Sequence, residues 1–228
     1  MRRDFAPRER GFRGVLFDLD GVVADSEPLH VQAWVEVLGR LGVGPEAIGA
    51  ENLAAWVGVP DVQIVASLVE RHRLPLDPAE LLAGKRAAYR ELIPRALTSF
   101  PGVAEELASW DGVPLGMVTA TPRREAQLML STLGLDGVFR VLVAGDDVQR
   151  PKPAPDCYLL AAARLGLDPA QCAAVEDAPY GVRAARAAGL HVLGVATSFP
   201  RERLAEAHRL FSTTLEAVRW LKPRTASA

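Results

Sequence analysis

Two cysteines, Cys157 and Cys172, are all that the 228 residues contain. That excludes a disulfide-stapled scaffold and a cysteine-rich zinc site, and leaves two buried, reduced thiols as the expectation. No apolar run approaches the roughly 20 residues that span a bilayer, so no membrane partner is expected. The opening stretch Met1-Arg-Arg-Asp-Phe-Ala-Pro-Arg-Glu-Arg10 is basic, but no apolar segment follows it and a secretory signal is not expected. Neither sign of charge dominates: 26 Lys and Arg stand against 28 Asp and Glu. There is no basic field to attract nucleic acid and no acidic excess to favour disorder. Internal repeats are missing too. These absences leave a cytoplasmic globular protein. Its hydrophobic content of 49% and charged content of 24% suit one large domain, or a medium domain with an insert.

The first strong element is Arg13-Gly-Val-Leu-Phe-Asp18, a short apolar run ending in an acid, which predicts a buried parallel strand. From Pro28 to Gly42 the pattern turns helical, with Trp34, Val37, Leu38 and Leu41 at i, i+3, i+4, i+7. Val62, Val65, Leu68 and Val69 predict a second helix, and Leu81, Ala88, Tyr89 and Leu92 a third. After Pro101 strands and helices alternate. Strands are predicted at 114–119, 139–143, 172–175 and 190–195, with helices between them and Gly189 closing the last. Such alternation implies a parallel sheet covered on both faces. The expected organisation is an α/β core of residues 13–27 and 98–221, an all-helical insert over 28–97, and solvated ends at 1–12 and 222–228.

Four features fall at or just beyond the predicted strand ends: Asp18-Leu-Asp20-Gly21, Thr119-Ala-Thr121, Arg150-Pro-Lys152-Pro153 and Glu176-Asp177. Ligands in open α/β sheets bind at the carboxyl ends of strands. One crevice therefore gathers acids, a hydroxyl and a lysine that are remote in sequence. Clustered carboxylates repel, and a hard divalent cation such as Mg²⁺ relieves them while holding phosphate oxygens. Lys152, Thr119 and the N–H groups after it suit an anionic substrate. Phosphoryl transfer asks for positioning and charge neutralisation, which this set provides. Asp18 can act as nucleophile, and Asp20, two residues on, as general acid and base. Taken singly, each piece has an ordinary explanation: Asp-x-Asp-Gly is a common turn, and Glu176-Asp177 could merely cap a helix.

Together, Phe17-Asp-Leu-Asp-Gly-Val-Val-Ala-Asp-Ser26, Val118-Thr119, Lys152-Pro-Ala-Pro-Asp156 and Glu176-Asp-Ala-Pro-Tyr-Gly181 resemble the four motifs of the haloacid dehalogenase superfamily. The likeness runs from about residue 13 to 221. It implies a Rossmann-like parallel core with the helical block as a C1-type cap. It also implies Asp18 as nucleophile and Asp20 as general acid/base. Mg²⁺ would be held by the Asp18 carboxylate, the Asp20 main-chain carbonyl and Asp177, with Glu176 a ligand or one shell removed. Thr119, the Ala120 N–H and Lys152 would hold the phosphoryl group.

Within that superfamily the dehalogenases lack the second acid, so Asp20 implies a phosphate ester. The sequence looks most like sugar-phosphate phosphatases and β-phosphoglucomutase. His30 in Glu27-Pro-Leu-His30, Trp34 and Lys85 resemble cap positions that face substrate in the mutase. Gly58-Val-Pro-Asp61 departs from it: the mutase loop carries an arginine for a second phosphate, and an anion at Asp61 would weaken that grip. Hydrolysis of a small phosphorylated metabolite by a monomer is therefore the expectation, with a phosphosugar mutase as the rival. A receiver-like phospho-acceptor module also keeps an acidic pair, a Thr and a Lys at parallel strand ends. The long helical insert, and Asp18 and Asp20 sharing one strand end, speak against it. Val22, Val23 and Asp25-Ser26 are expected to form a flap and hinge.

Overall fold

The computed structural model describes residues 11–44, 56, 61–72 and 77–225; residues 1–10 and 226–228 of the expected solvated ends, and Gly58-Val-Pro60, lie outside them. The chain divides into two compact units, Met1–Ala24 with Ser99–Ala228, and Asp25–Thr98.

The first unit is built on a six-stranded parallel sheet of order β5-β4-β1-β6-β7-β8. In it β1 is Gly14–Phe17, β4 Leu115–Val118, β5 Val141–Val143, β6 Cys172–Glu176, β7 His191–Val195 and β8 Arg209–Phe211. Every residue of β1, β4 and β6 is buried, as a sheet covered on both faces requires. Phe17 aligns with Met117 on one side and Val175 on the other. The residues that follow these partners, Asp18, Val118-Thr119 and Glu176, therefore reach the carboxyl edge of the sheet at one level. The helices of this unit are α4 (Val103–Ala108), α5 (Arg123–Thr132), α6 (Asp156–Leu165), α7 (Pro179–Ala187) and α8 (Thr214–Leu221). Helix α6 packs on β1, β4 and β5, and against α7, which lies on β6 and β7. Both cysteines are buried and unpaired, Cys157 on α6 and Cys172 opening β6.

Three elements of this unit go beyond the predicted ones. The sequence pattern predicts at least four strands after the insert, and the sheet has a fifth there, β8. It is a three-residue edge strand, Arg-Leu-Phe, too short to show a period. Helices α4 and α8 were not expected either. Helix α8 does carry a legible stripe, since Thr214, Ala217, Val218 and Leu221 are buried at i, i+3, i+4, i+7. The ends also differ from expectation. Phe12 bridges Thr225, and its N–H donates to the Arg224 carbonyl at 2.8 Å, so the described part of each end pairs with the other.

The second unit contains α1 (Glu27–Arg40), α2 (Asp61–His72) and α3 (Pro78–Ala96). The chain passes from one unit to the other through the short β2 (Ala24–Asp25) and β3 (Thr98–Ser99), which pair with each other. Helix α3 starts where Asp77 accepts from the Ala79 N–H at 2.7 Å and Pro78 takes the first position. Trp34, Val37 and Leu38 of α1 pack with Ile64, Val65, Leu68 and Leu81. Val62, predicted on the inner face of α2, is 58% exposed, and Ile64 occupies the core in its place. On α3 the buried face includes a lysine: Lys85, between Leu81 and Ala88, is 1% exposed.

Candidate active site

Four segments of the sheet unit meet at the carboxyl ends of β1, β4 and β6. Asp18 follows β1 directly, and its N–H donates to the Val175 carbonyl. The chain then turns sharply, with the N–H groups of Val23 and Ala24 both donating to the Leu19 carbonyl. Gly21 permits this turn for two reasons. Its φ is +74°, and a Cβ there would stand 1.9 Å from Asp177 Oδ2. After β4, Thr119 Oγ1 accepts the Thr121 N–H at 3.0 Å and fixes the loop. Glu176 ends β6, Asp177 follows it, and Pro179 opens α7. Gly181 on α7 lets that helix close over the acid, because a Cβ there would lie 2.1 Å from the Glu176 carboxylate.

Lys152, on the connection between β5 and α6, joins these strand ends. Its Nζ donates to Asp18 Oδ1 and Glu176 Oε1, each at 2.7 Å, and to the Val118 carbonyl at 3.2 Å. The Tyr158 hydroxyl donates to the same Glu176 oxygen at 2.6 Å, and the tyrosine ring lies beneath the ammonium. Asp20 is held separately: its Oδ2 accepts from Thr121 Oγ1 at 2.7 Å and from Thr119 Oγ1 at 3.2 Å.

Carboxylate oxygens of Asp18, Glu176 and Asp177 lie within 4.8 Å of one another, and all three residues are buried. One ammonium cannot balance them. Burial, together with the crowding of the other acids, holds the Asp18 carboxyl well above its usual range against the pull of Lys152. Asp177 is pushed up to about 7, first by burial and then by Glu176, with a hydrogen bond from Ser198 opposing. Burial draws the Lys152 ammonium down, but the Asp18 and Glu176 carboxylates outweigh it and raise it well above the usual lysine value. Glu176 Oε2 is buried with no hydrogen-bond donor among the described residues. Close, dry, all-oxygen donors with one orphaned oxygen fit a hard divalent cation.

Of the residues singled out in the sequence, Asp18, Lys152, Glu176 and Asp177 thus form one group at these strand ends, and Asp20 with Thr119 a second. Ala120 is exposed in the loop between Thr119 and Thr121. His30, Trp34 and Lys85 belong to the helical unit and form their own cluster. Lys85 Nζ lies 2.7 Å from His30 Nδ1 and donates to both Asp61 oxygens at 2.8 Å. The rings of Trp34 and Tyr89 lie 5.5 and 5.3 Å from it, and His30 stacks on Tyr89. Trp34 is 2% exposed and packs edge-on against Trp56. Asp61, picked out in the sequence for the charge it brings, is the counter-ion of Lys85.

Sequence reasoning gave no role to Thr121, Tyr158 or Ser198. Thr121 stands inside a motif already marked, but nothing in the spacing says which hydroxyl meets Asp20. Tyr158 looks like any aromatic on an apolar helix face, and Ser198 like any loop serine.

The profile of the haloacid dehalogenase-like hydrolase family matches residues 12–189. The chain is 37% identical over 185 residues to the fructose-1-phosphate phosphatase YqaB of Escherichia coli K12, covering 81% of this chain and 96% of that protein. It is 36% identical over 213 residues to the validoxylamine A 7'-phosphate phosphatase of Streptomyces hygroscopicus subsp. limoneus, covering 92% and 97%. Among solved structures, CbbY from Rhodobacter sphaeroides in complex with phosphate superposes with a TM-score of 0.77 at 29% identity, covering 90% of this chain and 96% of that one.

Proposed function

This chain belongs to the haloacid dehalogenase-like hydrolases, and we propose that it is a Mg²⁺-dependent phosphatase. It hydrolyses a small phosphorylated metabolite, a sugar monophosphate, through an aspartyl-phosphate on Asp18. The observation that carries the proposal is Lys152 bonded to Asp18 and Glu176 beside Asp177, with Asp20 held by threonine hydroxyls two residues from the nucleophile.

In the first half-reaction an Asp18 oxygen forms a bond to phosphorus as the ester P–O bond breaks. Asp20 gives its proton to the departing oxygen. In the second, water adds to phosphorus, the bond to Asp18 breaks, and Asp20 takes the proton from the water. Thr119, the Ala120 N–H and Lys152 bind the phosphoryl oxygens. The Asp18 carboxylate, the Asp20 carbonyl and Asp177 would hold Mg²⁺, with Glu176 a ligand or one shell removed. When bound, the ion offsets the charge of these acids and of the phosphoryl group.

The relative named as a fructose-1-phosphate phosphatase supports the substrate class. In this reading half-buried His30 is the substrate contact of the helical unit, while the burial of Trp34 and of Lys85 argues for core roles. Asp61 already matches the Lys85 charge, which favours a substrate with one phosphate over a bisphosphate. The enzyme acts as a monomer and in the cytoplasm, the compartment with which its two unpaired thiols are in keeping.

The test is a phosphate-release screen over sugar and small organic phosphates, with Mg²⁺ and with EDTA, alongside detection of isomerised product. Mg²⁺-dependent release of phosphate is expected. Isomerisation without release would replace the proposal with a mutase, and a stable phosphoprotein without turnover would replace it with a phospho-acceptor.

A further inference from the structure

Two threonines donate to one oxygen of Asp20. The shorter bond, 2.7 Å, comes from Thr121, and the longer, 3.2 Å, from Thr119. A hydroxyl carries a single hydrogen. Thr119 therefore cannot donate to Asp20 and to a phosphoryl oxygen at once. Thr121 lies one residue beyond the phosphate-binding pair, and its own N–H is taken up by Thr119 Oγ1. Its carbonyl is tied as well, accepting from the Gly145 N–H at 3.0 Å. Its backbone is thus braced on both sides, and its hydroxyl has the closer contact with the acid.

We propose that Thr121 is a positioning residue that holds Asp20 for proton delivery once Thr119 has turned to the substrate. The inference rests on the phosphatase reading above. A donor on Oδ2 keeps that oxygen an acceptor and directs the transferable proton to Oδ1. It also fixes the carboxyl plane against rotation about its side-chain bonds. A leaving alkoxide depends on that proton as the P–O bond breaks. A nitrophenolate does not, because it departs as a stable anion.

The experiment compares kcat/KM of wild type, Thr121→Val and Thr121→Ser on fructose 1-phosphate and on p-nitrophenyl phosphate. This constant covers only the steps up to loss of the leaving group, so the later role of Asp20 with water does not enter. Thr121→Val keeps the side-chain shape and removes the hydroxyl. It is expected to lower kcat/KM on fructose 1-phosphate by about tenfold or more, and on p-nitrophenyl phosphate by no more than about twofold. Thr121→Ser should recover most of the loss. The ratio of the two constants is independent of the folded fraction, so partial unfolding of a variant cannot imitate the split. An equal fall on both esters, no fall on either, or failure of serine to restore the ratio would overturn the positioning role. Asp18→Asn on the same esters separates this from the parent reading. Retained activity there sinks the phosphatase mechanism, whereas a dead Asp18→Asn with an unchanged ratio in Thr121→Val sinks only the role of Thr121.

Discussion

The Lys152 ammonium lies 2.7 Å from the Asp18 carboxylate, although 134 residues separate them in the chain. Their side chains are only 5% and 11% exposed, and the acids around them outnumber the cation. The Asp18 carboxylate thus sits where one ammonium leaves its charge costly.

Asp18→Asn should therefore abolish turnover while leaving the fold at least as stable. It removes the proposed attacking oxygen and also a carboxyl that burial and its acidic neighbours hold well above its usual range. Phosphate release should fall below about a tenth of wild type, with a metal-free melting temperature equal or higher. Retention of activity, or a clear drop in melting temperature, would count against the assignment.

Metal dependence should vary with pH. Asp177 binds its proton up to about pH 7 in the folded protein and releases it near 3.8 when unfolded. Between those values the folded state carries more protons, so metal-free stability falls as pH rises through that window. In the proposed site Mg²⁺ would bind the ionised carboxylates and offset the loss. Melts with Mg²⁺ and with EDTA should therefore differ more at pH 8 than at pH 5. An equal difference at both would contradict the metal-site assignment.

His208 makes a second pH-dependent contribution, far from this chemistry in sequence. Its Nδ1 accepts the Val192 N–H at 2.9 Å, which requires that nitrogen to be unprotonated. Burial and then neighbouring His191 bring its pKa down to about 4. The unfolded chain takes up the proton first, so this stability is complete above pH 6.5 and is lost as pH falls toward 4. His208→Gln should flatten the acid limb of a melting-temperature profile. An unaltered limb would show that the histidine is not responsible.

In the helical unit, Asp61→Asn removes a counter-ion from an ammonium that is 1% exposed. Breaking a buried pair from one side is costly, here about 1–3 kcal/mol because the Asp61 side chain retains some solvent contact. Lys85→Met in the same chain should recover most of that loss, since an apolar side chain of similar length replaces the buried ammonium. Denaturant melts of the single and double variants decide the point, and a double variant no more stable than Asp61→Asn would refute the pairing energetics.

Much of the molecule is legible without coordinates, for local reasons. Apolar runs ending in acids mark β1 and β6, because a strand buried on both faces must be apolar until it reaches the site. The spacing of Trp34, Val37 and Leu38 marks α1, because only one face of a helix can be buried. The order of Asp18, Thr119, Lys152 and Glu176 along the chain points to a common crevice, since parallel strands deliver their carboxyl ends to one edge. Short edge elements such as β8 escape notice because three residues show no period.

Only the folded chain decides which atoms meet. Nothing in the order of residues says that Tyr158 shares a Glu176 oxygen with Lys152, that Thr121 rather than Thr119 makes the shorter bond to Asp20, or that Lys85 takes Asp61 as its partner. Residue types and spacing express what each segment needs to bury or expose. Hydrogen bonds between remote segments depend on strand register, loop path and rotamer, and those are determined only when the whole chain packs.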